Sequence, residues 1–512
     1  MTLGVGAILS AEPANIVRKL TFATKEAAGS DHTDLFNAMA RVNLAHSIML
    51  REHKLVSAEV GDSLVGLMLE IYEGGPSSVP LKAEDGDLYP QIEAFAASRL
   101  GGDVAGYLQL GRSRGDVIPS TMRIKLRIKE IRLLEAQLAL RETLLEVCEE
   151  YADAIMPAYT HWQQSQVMTL GHFLGRFAAW FERDTDRLWL CLNRHNLSSL
   201  GCANGVGTSV KVDRAATSSL LGHDAPIASA GDAVNAWDYM IEPVSEAALF
   251  CSHLARLMGN FILWHTQEFG MARLSDAFST ASTYLPQKRN PEPLETVKVF
   301  AEQVHGSLAT VYLMARNEDW PHSLINHGFS AINQALDLST DAAVLTDAIL
   351  KDIQFNRERM SGLLSEGFTT ASEVANTLVT RCRIPFREAH EIIGVAVRKC
   401  LEEKQPRLTV SFVRDAAREC GFADLAVDDA TLIGSMDPAA FVQRMVSPGG
   451  VAPAEMTRLI AEWQASLKQD REQLKSFVKK LDQADNEMVS RARRILNEAG
   501  SQMLSPARHI VS

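Results

Sequence analysis

The sequence predicts an all-α protein, three helical domains arranged around a central bundle of long helices. Three observations lead there. Apolar residues recur at helical spacing over long stretches, and alternating strand-like runs are scarce. The chain is also long, 512 residues of which 46% are hydrophobic, enough for two or three domains and a large buried core.

Between about 120 and 150, Ile124, Ile128, Ile131, Leu134, Leu138 and Leu145 fall on the faces of one long helix. The same periodicity runs through 168–193, 235–270, 292–316, 331–353 and 453–482, with no internal repeat and no low-complexity tract. Helices this long predict a bundle. Glycine and proline mark the loops between them: GGPSS at 74–78, Gly101-Gly102, GCANGVG at 201–207 and SPGG at 447–450. Polar, turn-rich segments set domain limits near 114 and 365. The expected division is an N-terminal helical domain at 1–114, a central long-helix domain at 115–365 and a C-terminal helical domain at 366–512. The charged tail beyond about 465 reads as a solvated helix that closes the bundle.

Composition excludes several function classes. The net charge is −12 and the 51 lysines and arginines are scattered, so neither a nucleic-acid groove nor a lipid-binding surface is expected. Seven cysteines at 148, 191, 202, 251, 382, 400 and 420 show no CxxC and no disulfide or zinc spacing, which suits free thiols in a reducing compartment. The N-terminal stretch has no leading positive region, and no run of eighteen apolar residues follows. A cytoplasmic protein without a membrane span is the expectation. The glycine-rich stretch at 201–207 lacks GxGxxG spacing and a preceding strand, so no nucleotide, flavin or pyridoxal cofactor is expected, and no metal.

The most informative segment is Ser282-Thr283-Tyr284-Leu285-Pro286-Gln287-Lys288-Arg289-Asn290-Pro291, two prolines around polar and cationic groups just ahead of a helix. Lys288 and Asn290 suit donation to developing negative charge, and Ser282 suits movement of a proton. Composition alone also fits a plain surface loop. Two other segments carry comparable groups: Gly111-Arg112-Ser113-Arg114-Gly115-Asp116, and Thr160-His161-Trp162-Gln163 followed by Gln166. Read without relatives, the arginines fit surface salt bridges and His161 a structural histidine. Glu295 fits a helix N-terminal acid favoured by the dipole.

Taken together and in order, these segments resemble the fumarase/aspartase superfamily. The 279–291 region resembles its signature loop, with Ala281 for a glycine, Thr283 for the second serine and Leu285 for a methionine. The others resemble its Gly-Arg-Ser-Arg-Asn-Asp and Thr-His-x-Gln segments. Ile384-Pro385-Phe386-Arg387-Glu388-Ala389-His390-Glu391 resembles the C-terminal domain of the argininosuccinate lyase family, so the similarity spans about 30–465.

The resemblance implies a carbon-nitrogen lyase of fumarase/aspartase-like fold that eliminates fumarate from an N-substituted aspartate without a cofactor. It implies Ser282 as base, Lys288 at the developing charge, and His161 paired with Glu295 as the proton carrier on the amine side. It implies Arg112, Ser113, Arg114, Thr160, Gln163, Thr283 and Asn290 as substrate contacts. It also implies a homotetramer whose sites are shared between subunits.

Two departures bear on the substrate. Gly115 stands where the family has an asparagine that touches the succinyl part. After the 292–316 helix, the family's Tyr-Asn-x-Asp-x-Gln-Glu-Asp-Lys run, which contacts arginine, gives way to Asn317-Glu318-Asp319-Trp320-Pro321-His322-Ser323. The expectation is a different leaving amine, of the aminopolycarboxylate type such as ethylenediamine disuccinate, with Trp320, His322 and His327 as candidate pocket residues. Argininosuccinate cleavage and a non-catalytic structural homologue are the alternatives.

Overall fold

The computed structural model of the protein describes residues 31–82, 88–316 and 322–503, apart from the side chains of 31, 32, 322–328, 366 and 500–503. The expectations placed on the N-terminal twenty residues, on 317–321 and on the side chains of His322 and His327 lie outside the described residues.

The N-terminal part holds helices α1 (Asp31–Glu52), α2 (Ala58–Gly74) and α3 (Leu88–Leu100). Glycines break the chain at two of the expected loops, Gly75 and Gly101, which take φ of 62° and 82°. Five long helices then form the bundle: α4 (Arg114–Glu150), α5 (Leu170–His195), α6 (Asp238–His265), α7 (Glu292–Met314) and α8 (His322–Asp352). At 37 residues, α4 is roughly 55 Å long. Leu134, Leu138 and Leu145 are buried along it, as their spacing predicts.

This central helix also buries charge, which is costly unless each cation finds a partner. Lys129 Nζ lies 2.7 Å from an Asp337 oxygen on α8, and Arg141 Nη1 lies 2.6 Å from Asp470 Oδ2 near the C-terminal end of the chain. Arg127 donates to Asn196 Oδ1 and to the Leu221 carbonyl, both at 2.8 Å. These bonds fix the register of neighbouring helices, which apolar packing alone leaves looser.

Between α4 and α5 the chain forms a two-stranded antiparallel hairpin, β1 (Ile155–Thr160) with β2 (Gln163–Thr169), which the periodicity did not predict. Its two-residue turn is His161-Trp162, with φ of 51° and 62°. Positive φ at both central positions is the primed turn that matches strand twist.

Helices α9 (Ala371–Cys382), α10 (Phe386–Glu402) and α11 (Val410–Glu419) build a separate hydrophobic cluster that includes Val374, Leu378, Ile392, Ala396 and Val413. The last helix, α12 (Pro453–Met503), leaves that cluster. It lays Met456, Leu467, Leu474, Phe477, Met488 and Ile495 on the principal core with α4, α5 and α2. It closes the bundle and continues some twenty residues past the 453–482 pattern.

Among the described residues one helix, α6, is long and apolar enough to cross a membrane by composition, and half of its most apolar stretch is buried inside the chain. It packs on α5, α7 and α8.

Candidate active site

The three sequence segments sit at three element ends. The first is the N-terminus of α4. Gly111, at φ 77°, packs so closely that a Cβ there would lie 2.6 Å from Val212 Cγ1, and this turn drives the next side chain inward. Arg112 is therefore buried at 6% exposure among Tyr89, Glu93 and Asp116, and does not face solvent within the chain. Burial pushes its guanidinium pKa down, while those three neighbours pull it back up. Ser113 caps α4: its Oγ accepts from Gly115 N, and its own N–H donates to Asp116 Oδ1 at 2.8 Å. Arg114 is partly exposed.

Asp116 ties this segment to the glycine-rich loop at 201–207. Its Oδ2 accepts from Gly201 N at 2.7 Å and from Ala203 N at 3.0 Å, the loop amides turned toward it by φ of 83° and 51°. Burial raises its pKa, against the amides and Arg112, which lower it. The loop thereby reaches Gly115: a Cβ built there would lie 2.8 Å from Asn204 Oδ1 and 3.1 Å from the Ala203 carbonyl. Asn204 is exposed. Neither Asp116 nor Asn204 was singled out in the sequence; the aspartate in the Gly-Arg-Ser-Arg-Gly-Asp run was the available signal.

The second segment is the hairpin tip. Thr160, His161 and Gln163 are exposed there, Thr160 pairing with Gln163, and Trp162 is 80% exposed. The base of the hairpin is anchored, with Gln164 Nε2 donating to the Leu363 carbonyl and Gln166 Nε2 to Ser372 Oγ at 3.1 Å.

The third segment is the 279–291 loop. Its ends form a short ladder, β3 (Thr280–Ala281) with β4 (Arg289–Asn290), and Arg289 is ion-paired with Asp276. Between them the chain projects into solvent, with Thr283 and Lys288 exposed and Tyr284 at 88%. Ser282 Oγ accepts from two backbone amides, Leu285 N at 3.0 Å and Tyr284 N at 3.3 Å. Amides aimed at an oxygen favour its anionic form. Glu295 stands in the exposed first turn of α7. Among the described residues, no hydrogen bond or ion pair joins His161 to Glu295, so the expected pair does not form inside one chain.

A bundle of long helices with a serine, a lysine and an asparagine on one projecting loop fits the class the sequence resembles, the fumarase/aspartase-type lyases. The comparisons agree. A lyase family model matches residues 26–306, and an argininosuccinate lyase C-terminal model matches 368–429. Argininosuccinate lyase of Methanocaldococcus jannaschii is 30% identical over 463 residues, covering 89% of this chain and 94% of that protein. The enzyme of Methanococcoides burtonii is 32% identical over 459 residues, covering 88% and 91%. Among solved structures, EDDS lyase in complex with formate superposes with a TM-score of 0.83 at 26% identity, covering 96% of this chain and 98% of that one. Class II fumarase of Schistosoma mansoni, at a TM-score of 0.69 and 15% identity over 85% and 96% of the two chains, shares the fold. The chain belongs to the argininosuccinate lyase family and is a carbon-nitrogen lyase.

Proposed function

We propose that this lyase eliminates fumarate from an N-substituted aspartate whose leaving amine is not arginine, an aminopolycarboxylate of the ethylenediamine disuccinate kind. The observation that carries the reading is the retention of Ser282, Lys288, Asn290, His161 and Glu295 beside a replaced arginine-contact run at 317–323. The likeness to EDDS lyase over nearly the whole chain supports it.

The reaction must remove a weakly acidic proton beside a carboxylate and stabilise the dianion that forms. Ser282 takes the proton. Its Oγ already accepts two backbone amides, which lower the cost of the alkoxide. Lys288 and Asn290 donate to the growing charge; one such donor is worth about 3 kcal/mol in comparable sites. His161, oriented by Glu295, hands a proton to the departing amine. Arg114 and Ser113 hold a substrate carboxylate with Thr160, Gln163 and Thr283; Arg112, a substrate contact on the resemblance, is buried behind them.

The parts meet by assembly into a cytoplasmic homotetramer, in which each site draws on three subunits. The exposed apolar side chains Trp162, Val206, Tyr284, Val299 and Leu313, on the hairpin, both loops and α7, support such contacts. The domain limits near 114 and 365 belong to the same reading.

The test is ultraviolet absorbance of released fumarate, with argininosuccinate and ethylenediamine disuccinate offered in parallel. Signal from the second compound alone is expected; rapid signal from argininosuccinate overturns the choice of amine. That second reading is favoured by the 30–32% identity to argininosuccinate lyases. In either case Ser282→Ala is expected to lose about 10²–10⁴ in kcat, and near-normal turnover excludes Ser282 as the base.

A further inference from the structure

Away from the loops just described, three potential ligands converge inside the bundle. Glu130 projects from α4, and Cys191 and His195 stand one turn apart in the last turns of α5. Cys191 Sγ lies 3.5 Å from Glu130 Oε1 and 3.4 Å from His195 Nδ1, and the three ligand atoms all fall within 4.8 Å of one another. Ligands held at zinc-like distances around a tetrahedral centre are separated by roughly 3.3–3.7 Å. Both measured sulfur separations fall in or near that range.

The far side of the histidine adds an independent observation. His195 Nε2 faces Glu242 Oε2 at 3.1 Å, from the first turns of α6. The two are not aligned as a hydrogen bond, but a carboxylate this close to one ring nitrogen favours the proton there and leaves the other nitrogen's lone pair free, as in most metal-bound histidines. Here that free nitrogen is Nδ1, the atom aimed at Cys191 and Glu130. We propose that Glu130, Cys191 and His195 form a binding site for a divalent transition cation of the zinc or cobalt type, with Glu242 orienting the histidine.

The chemistry balances. The cation displaces one proton from the Cys191 thiol and one from the Glu130 carboxyl, both released to water, so a 2+ ion and two anionic ligands leave the cluster's net charge unchanged. Burial favours the protonated form of both groups in the absence of an ion. Three cations stand nearby: Arg194 Nε pairs with Glu242 Oε2 at 3.0 Å, while Arg123 and Arg127 act on Glu130 at a distance and are bonded to other groups. Arg127 donates to Asn196 and Leu221, and Arg123 stacks on the Tyr239 ring at 3.9 Å. The donor set of one thiolate, one imidazole and one carboxylate selects zinc-like ions over magnesium or calcium. Such an ion would staple the end of α5 to α4, well apart in sequence from the 279–291 loop.

The site is enclosed, so the test adds the ion during refolding of the full chain. Refolded with Co2+, the protein is expected to take up one equivalent and show a near-ultraviolet thiolate-to-cobalt charge-transfer band, discharged by Zn2+. Cys191→Ala and His195→Gln should lose the band, whereas Cys148→Ala, a buried thiol outside the cluster, should keep it. Absence of the band in the wild-type chain overturns the proposal without reference to any variant's folding. So does a band that persists in Cys191→Ala.

Discussion

Gly115 and Asn204 offer a reciprocal exchange. A side chain at 115 would begin 2.8 Å from Asn204 Oδ1 and 3.1 Å from the Ala203 carbonyl, so the Asn204 carboxamide stands where the family's asparagine would start. The first contact yields by rotating a side chain; the second needs the backbone to give a few tenths of an ångström. On the proposed reading, with the Asn204 carboxamide supplying the succinyl contact of the family's missing asparagine, Asn204→Ala should cost about 1–3 kcal/mol, or roughly 5- to 150-fold in kcat/KM. Gly115→Asn alone should also lose activity, because two carboxamides then compete for one space. The double variant relieves the crowding, restores one donor and should recover to within about fivefold of wild type, a coupling of the sign expected for residues in contact. Steady-state fumarate release from the accepted substrate measures the cycle, and inhibition by added fumarate reads the succinyl end separately. An Asn204→Ala enzyme within twofold of wild type, or a double variant as poor as the two losses multiplied, refutes the reasoning.

Asp116→Ala strands three backbone amides, those of Ser113, Gly201 and Ala203. It should cost about 3 kcal/mol or more and raise KM more than it lowers kcat; an unchanged thermal midpoint would contradict the clamp. Mixed refolding of two inactive variants, Ser282→Ala and His161→Asn, should restore turnover at about a quarter of the sites if the two residues come from different subunits, whereas a mixture as inactive as its parents would place them on the same chain. For the metal-free protein, Glu130 has a folded pKa near 8 against 4.5 unfolded. Its contribution is therefore complete below about pH 4.5 and is lost as pH rises through 8. His195, lowered to about 4 by burial, acts oppositely and is spent by pH 6.5, so the decline between pH 6.5 and 8 reports Glu130 with its neighbours Cys191, Arg123, Arg127 and Glu242. Glu130→Gln should flatten that decline in thermal melts; a variant with the wild-type slope would exclude Glu130 as its source.

The helices were legible because their periodicity outlasts local noise. The exceptions are instructive. The 331–353 pattern missed the first turns of α8, and α12 runs on to Met503 because Met488, Ala492 and Ile495 continue its buried stripe through a charged surround. The hairpin was hidden by Pro157 within its first strand and by a His-Trp turn in place of the usual Asn-Gly signal. Ser282, Lys288 and Asn290 could be read because they are contiguous. What could not be read was contact across the chain. Asn204 meets Gly115, Asp116 meets Gly201, and Glu130 meets Cys191 only because the long helices bring remote segments together. Arg112 was readable as a cation but not as a buried one, since its direction is set by the turn at Gly111.

The hairpin turn leads to one last consequence. Histidine and tryptophan both sit there in left-handed backbone, at roughly 1 kcal/mol each over glycine. Replacing either with glycine or asparagine would relax the turn, and at 161 the same change would remove the proposed proton carrier. A catalytically dead protein could then outlast the working enzyme on heating. Improvement schemes that rank variants by heat tolerance alone would select such sequences, so any thermostability campaign on this scaffold has to score turnover at every round.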